Sequence, residues 1–271
     1  MADADPAAII DSSLARDALL LRDTVREAGQ LALSMFGTDV RNWIKGVSSP
    51  VSEADMATNE LLERRLRSAT PDYGWLSEES ADDQTRLSKR RVWIVDPIDG
   101  TRSYLAGRSD WCVSVALVED AAPILAAVFV PVSGEFFFAA RGQGTTLNGA
   151  KVRAASGTAL DFSRVAGPKP LVERLASSKE ITLHPRIGSL ALRLCRVAHG
   201  ALDAAFAGGQ SRDWDLAAAH LIVQEADGSM TALSGDPIRY NRPDVMHGIL
   251  VAAGRDRHAS IVTHFRADSQ P

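Results

Sequence analysis

The segment Arg91-Val92-Trp93-Ile94-Val95-Asp96-Pro97-Ile98-Asp99-Gly100-Thr101 reads as an apolar strand that stops abruptly in two acids and a glycine. Pro97 has no N–H to give a sheet ladder, so the chain is expected to turn where Asp96 and Asp99 appear. On such a turn the two carboxylates can converge on one point. Left uncompensated they would repel until one took up a proton, and a cation between them removes the conflict. Gly100 lets the backbone approach a ligand with no side chain in the way. If a helical turn begins there, the amides of Gly100 and Thr101 point outward and make an anion site beside the cation site. A phosphate ester bridged to metal ions requires that pairing. An ordinary β-turn would account for a lone Asp-Gly, but further acids recur in matching contexts.

Those acids are Glu78-Glu79, after the strand candidate Tyr73–Leu76, and Asp215, at the start of the helix candidate Trp214–Ala226. Glu79 reads as a supporting or surface residue. The six histidines are scattered without metal-ligand spacing. An all-oxygen donor set selects a hard cation, magnesium rather than zinc.

Outward from this centre, apolar residues at helical spacing from Ser12 to Met35 predict a long first helix, closed by Gly37. Ser52 can cap a second helix running through Leu66, with Glu53 and Asp55 in or near its first turn. An acid there suits the helix dipole, so capping alone would explain Asp55. Short β-rich runs follow at Arg91–Val95, Cys112–Val118, Ile124–Val130 and Glu135–Ala139. Beyond Phe162, strands alternate with helices at about Pro170–Ser178, Ser189–His199 and Trp214–Ala226. The expected organisation is an α/β chain in two halves. Residues 1–160 form an α+β half with two helices and a large, mainly antiparallel sheet that carries most metal ligands. Residues 161–271 form an α/β half carrying Asp215, and the two pack as one compact unit.

The chain has 271 residues, 45% apolar and 24% charged, enough to bury a core without disulfides. Cys112 and Cys195 both lie in apolar stretches, which favours reduced core thiols and a cytoplasmic setting. The acidic start Met1-Ala2-Asp3-Ala4-Asp5-Pro6 lacks the basic and apolar parts of a secretion signal. The longest apolar run, Ala121 to Val132, contains Pro123 and Pro131 and falls short of the ~20 residues that span a bilayer. No membrane association is expected. A net charge of −4 gives no general attraction for a nucleic-acid backbone. The basic cluster Arg86, Lys89, Arg90 and Arg91 reads as a solvated strand edge.

The motifs together resemble the inositol monophosphatase superfamily. Asp96-Pro97-Ile98-Asp99-Gly100-Thr101 matches its central motif, and Trp214-Asp215-Leu216-Ala217-Ala218-Ala219 resembles its second. Leu76-Ser77-Glu78-Glu79-Ser80 is similar to its glutamate motif and Ser49-Pro50-Val51-Ser52-Glu53-Ala54-Asp55 to its N-terminal acidic segment. The four occur in family order. The resemblance implies a layered αβαβα sugar-phosphatase fold and a magnesium-dependent, lithium-sensitive phosphomonoesterase that binds two or three Mg2+. In that reading Glu78, Asp96 and the carbonyl of Ile98 hold one ion, and Asp96, Asp99 and Asp215 hold another. Glu78 and Thr101 position the attacking water, and Asp55 accepts a hydrogen bond from Thr101. Gly100, Thr101, Arg102, Gly188, Ser189 and Asp215 touch the substrate. Water displaces the ester in line, with no phosphoenzyme.

The substrate is a small soluble phosphate ester. Inositol-preferring members carry a glutamate seven residues before the second-motif aspartate, where this chain has Gly208. Lys45, ten residues before Asp55, and Gly235-Asp236-Pro237-Ile238-Arg239-Tyr240-Asn241 resemble the 3′(2′),5′-bisphosphate nucleotidase branch. Arg102 stands where that resemblance often places lysine, and its planar fork suits a second phosphate. Inositol 1-phosphate, other sugar phosphates and histidinol phosphate remain alternatives, as does a metal-bound metabolite sensor without turnover. Relatives occur as monomers or as homodimers. An aspartyl-nucleophile phosphatase would need an Asp-x-Asp at the strand end, which Asp96-Pro97-Ile98 does not supply.

Overall fold

The computed structural model describes residues 12–46 and 49–267. The acidic start Met1–Pro6 lies outside the described residues. The first half runs α1 (Ser12–Met35), β1 (Asn42–Lys45), β2 (Ser49–Ser52), α2 (Glu53–Ala69), β3 (Gly74–Ser77), β4 (Arg91–Asp99) and α3 (Thr101–Leu105). It continues through β5 (Cys112–Glu119), β6 (Ala122–Val130), β7 (Glu135–Ala140), β8 (Gly144–Leu147) and β9 (Ala150–Val152). Next come β10 (Arg164–Ala166), α4 (Lys169–Ala176), β11 (Thr182–Leu183), α5 (Leu190–Ala198), β12 (Ala204–Ala207) and β13 (Ser211–Arg212). The chain ends with α6 (Asp213–Gln224), β14 (Gly228–Ala232), β15 (Met246–His247), β16 (Leu250–Gly254) and α7 (Arg255–Ala267).

A seven-stranded sheet has the order β3-β4-β5-β6-β7-β8-β9 and a five-stranded sheet the order β11-β10-β12-β16-β14. In the first, only β3 and β4 run parallel. Alternation along the strands assigns their two faces to different layers. Trp93, Val95, Val115 and Leu117 meet Leu21, Val25 and Leu62 from α1 and α2. Ile94, Ala116 and Val128 point the other way, into a core shared with Leu192, Leu216 and Ile222 from α5 and α6 and with Ala205 and Ala252 from the smaller sheet. The far face of that sheet packs Val165, Phe206 and Val251 against Val172 of α4 and Ile261 and Phe265 of α7. The result is the αβαβα layering that the motifs imply. Helix α6 is buried on nearly every side (Trp214, Leu216, Ala217, Ala218, Ala219, Leu221, Ile222 and Val223) because it is sandwiched between sheets, which is why its sequence lacks a polar face.

The expectation that the strand ends at Val95 is corrected by the register. Strand β4 runs through Pro97 to Asp99, pairing Asp96 with Ser114 and Asp99 with Cys112. Three steps on β4 face two on β5, so β4 carries one extra residue, a bulge. Pro97 is tolerated there because a bulge already breaks the ladder. The bulge also does the chemical work assigned to a turn. Residues three apart on a regular strand face opposite sides, and one extra residue restores a common side.

The basic cluster is corrected as well. Lys89 and Arg90 are exposed, but Arg86 is buried in a 3₁₀ turn at Thr85–Ser88. Arg91 donates to Glu119 at 2.7 Å and to the Tyr73 hydroxyl at 2.8 Å. Among the described residues, no helix is long and apolar enough to cross a membrane. Cys112 and Cys195 are buried free thiols.

Candidate metal centre

Three structural ends meet at one point. Asp96 and Asp99 come from the bulged end of β4, and Asp215 from the first turn of α6. One carboxylate oxygen from each lies within 4.8 Å of the others. Each acid is held by its own local bonds. Asp96 Oδ1 accepts from the Ile98 amide at 3.1 Å. Asp215 caps its own helix, accepting from the Arg212 amide at 2.6 Å. Asp99 takes the N-terminal end of α5: Oδ2 accepts from the Ser189 hydroxyl and the Ala191 amide, both at 2.6 Å, and Oδ1 from the Leu190 amide at 3.3 Å.

Glu78 follows β3, where its amide donates to the Val95 carbonyl at 3.2 Å, and its side chain enters the same cavity. Lys45 counters that carboxylate only in part, through its nearby charge and not by a direct ion pair. Its ammonium bonds the Glu78 carbonyl and the Glu79 Oε2, the latter at 3.0 Å, which makes Glu79 the buried half of an ion pair.

The electrostatics follow from this crowding. Burial, then the charges of Glu78, Asp99 and Asp215, hold the Asp96 carboxyl well above the usual carboxylate range. Burial followed by Asp215 and Glu79 pushes Glu78 up to about 8. Burial and Asp99 push Asp215 up to about 7. Asp99 is raised by burial too, although its three bonds from α5 pull it back. Four crowded acids that resist ionising together, with only oxygen donors, fit a hard divalent cation such as Mg2+.

Beside them, Asp55 serves two purposes with its two oxygens. Oδ2 accepts from the Ser52 amide at 2.8 Å and the Ser52 hydroxyl at 2.5 Å, closing the cap of α2. Oδ1 accepts from the Thr101 hydroxyl at 3.0 Å. Burial is the main reason that its pKa rises to about 6. The Thr101 proton has a second acceptor in the Ile98 carbonyl at 3.1 Å. Gly100 sits at φ +98°, and a Cβ there would come 3.2 Å from the Asp110 carbonyl and the Ser189 amide nitrogen. Only glycine lets α3 start so close to α5.

The model of the inositol monophosphatase family matches residues 16–270. The chain belongs to that family. The Nus factor SuhB of Xylella fastidiosa is 38% identical over 196 residues, covering 68% of this chain and 69% of that protein. The 3′-phosphoadenosine 5′-phosphate phosphatase of Mycobacterium leprae is 34% identical over 246 residues, 84% of this chain and 85% of its own length. The solved IMPase of Thermotoga maritima superposes with a TM-score of 0.79 at 25% identity, covering 95% of this chain and 98% of that one. The protein is accordingly a metal-dependent phosphomonoesterase with the acidic site of this inositol monophosphatase family.

The acids open into a cavity of about 350 Å³. Glu78, Asp96, Ile98, Asp99, Thr101 and Asp215 reach its wall, as do Gly100, Arg102 and Gly188. Ser189 does not. It is 0% exposed, with its hydroxyl on Asp99 and accepting from the Leu192 amide at 2.9 Å, so it holds the metal-site acid and not a ligand. Sequence reasoning missed Arg108 and Arg186, which also line the cavity. Arg108 is braced by Asp110, whose carboxylate also accepts from Ser103 and from the Gly188 amide, the latter at 2.5 Å. The signal was a pair of basic residues flanking the Asp99 and Gly188 motifs. Gly208 is not among the cavity residues and brings no acid to it.

Proposed function

We propose that the protein hydrolyses a nucleoside 3′(2′),5′-bisphosphate, with 3′-phosphoadenosine 5′-phosphate going to AMP and phosphate. The observation that carries this reading is the polarity of the cavity, with acids at one side and Arg102, Arg108 and Arg186 on the wall. The acidic side suits metal ions and the phosphate to be cleaved. The arginines suit a second anionic group on the same substrate, and guanidinium forks match phosphate geometry. The printed activity of the Mycobacterium leprae relative supports the same class. The absence of an acid at Gly208 leaves a polyol with nothing charged to bind at that position.

In this reading Glu78, Asp96, Asp99, Asp215 and the Ile98 carbonyl hold Mg2+. When bound, the ions supply positive charge that acidifies water and neutralises phosphate oxygens. Asp55 holds the proton of the Thr101 hydroxyl, which leaves a lone pair of Thr101 Oγ1 facing the cavity to accept a hydrogen bond from water. Glu78 faces the same space and orients the other side of that water. The amides at the start of α3 and the arginines hold the ester in line with it.

Turnover of 3′-phosphoadenosine 5′-phosphate, inositol 1-phosphate, fructose 1,6-bisphosphate and histidinol phosphate with Mg2+ tests the assignment. The bisphosphorylated nucleoside is expected to show the highest kcat/KM by about tenfold or more, a difference of about 1.4 kcal/mol. Equal or better turnover of inositol 1-phosphate or histidinol phosphate refutes the substrate. Tight ester binding without phosphate release from any of them points to a sensor instead.

A further inference from the structure

The guanidinium of Arg86 is 1% exposed and uses every N–H it has. Nε and Nη2 donate to the two oxygens of Asp82 at 3.0 and 2.6 Å. Nη1 donates to Oδ1 of Asn241 at 2.8 Å and to the Arg242 carbonyl at 3.1 Å, and Nη2 reaches the same carbonyl at 3.1 Å. A guanidinium carries five donors in a rigid fork, and here all of them are matched.

The partners connect two distant segments. Asn241 returns a bond from Nδ2 to the Arg86 carbonyl at 3.4 Å, and its amide donates to Asp213 Oδ2 at 2.7 Å. Asp213, buried at the first position of α6, holds His247 Nε2 at 2.7 Å through its other oxygen. Asp82 lies in the loop that begins at Glu78, and Asp213 opens the turn that carries Asp215. None of Arg86, Asn241, Asp213 or His247 lines the cavity. Glu78 and Asp215 are like charges in one site, and each segment would relax away from the other unless something held it. A buried guanidinium is expensive to leave half-matched, so its two sets of partners resist separation.

We propose that Arg86 is a positioning residue for the metal centre: with Asn241 and Asp213 it fixes the Glu78 loop against the start of α6 before any ion arrives. This rests on the reading of Glu78 and Asp215 as ligands of shared ions. The device is geometric, since a lysine would keep the charge but could not span Asp82, Asn241 and the Arg242 carbonyl together. Asn241, at φ +54°, contributes a side-chain link that glycine would remove without straining the backbone.

The test uses metal-stripped full-length protein as wild type, Arg86→Lys, Asn241→Gly and Arg164→Lys. Arg164 makes a half-exposed fork on Asp203, does not line the cavity, and serves as the control for an Arg-to-Lys change itself. Mg2+ affinity is read by calorimetry and by the rise in melting temperature on adding Mg2+. Values of kcat and KM are then measured at saturating Mg2+. Arg86→Lys and Asn241→Gly are expected to weaken Mg2+ binding about tenfold, the low end of what loss of an outer partner costs a metal site. KM at saturating Mg2+ stays within about twofold, because the cavity wall is untouched. Arg164→Lys leaves Mg2+ affinity unchanged. Wild-type Mg2+ affinity in Asn241→Gly overturns the proposal even if Arg86→Lys fails to fold. If wild type itself shows neither binding nor stabilisation by Mg2+, the ligand assignment fails and the proposal with it.

Discussion

Replacing Asp215 by Asn should make the metal-free protein more stable while destroying its activity. In the folded chain, burial and the Asp99 charge raise Asp215 from 3.8 to about 7. The unfolded chain therefore ionises first, and the folded state loses stability as pH rises from about 4 through about 7. Below that window the Asp215 carboxyl is protonated in both states and contributes no penalty. A displacement of that size is worth about 4 kcal/mol, and the partial exposure of the side chain reduces it to about 2 kcal/mol. Asn keeps the acceptor that caps α6 through the Arg212 amide and carries no charge to bury. At pH 8 with EDTA, Asp215→Asn should melt about 4–8 °C above wild type, since 1 kcal/mol moves a chain of this size by about 2–4 °C. At pH 4.5 the gain should shrink toward zero. Added Mg2+ should reverse the order, raising wild type more than the variant. A lower melting temperature for Asp215→Asn in EDTA at pH 8 would refute the reasoning, because the carboxylate would then be an asset to the empty fold.

Three further outcomes follow from individual contacts. Asp55 must be ionised to hold the Thr101 proton, so kcat should fall on the acid side as Asp55 protonates, with bound Mg2+ moving that fall below the metal-free value of about 6; Asp55→Asn should keep the fold, lose about 10²–10³ in kcat and lose that acidic limb of the rate profile. Gly188→Ala would put a Cβ 1.9 Å from Ser103 Oγ and 3.1 Å from Asp110 Oδ2, so it should cost about 1–3 kcal/mol in denaturant unfolding. Ser103 Oγ must rotate away and the Asp110 carboxylate that holds the Gly188 amide must give, so this wall of the cavity loosens and activity should fall with it. Arg186→Met should raise KM for 3′-phosphoadenosine 5′-phosphate about tenfold while leaving kcat and the KM of a simple phosphate monoester nearly unchanged, a cost of about 1.4 kcal/mol in binding; an equal rise for both esters would place Arg186 outside any second-anion site.

What could be read in the sequence was what depends on neighbours along the chain. Asp96 and Asp99 announce themselves because a proline lies between them and a glycine follows, and α6 declares its burial because it has no polar side. The means by which the two acids come to one side was not legible, since a bulge is a relation between β4 and β5 and neither strand alone encodes it. Asp55 could be read as a helix cap or as a partner for Thr101; the structure gives one oxygen to each, a division that sequence pattern has no way to express. Arg86 looked like a surface charge among three others because its partner Asn241 lies 155 residues away. Ser189 was correctly placed at a helix start. That its hydroxyl bonds Asp99 depends on the packing of α5 against β4, which no local signal reveals.

The central claim is that Glu78, Asp96, Asp99 and Asp215 share divalent ions. Anomalous diffraction from crystals soaked in Mn2+, as a stand-in for Mg2+, tests it directly. At least two peaks are expected within coordinating distance of these carboxylates, and they should disappear in Asp96→Asn. Peaks elsewhere on the molecule, or ions that remain in place in Asp96→Asn, would contradict it.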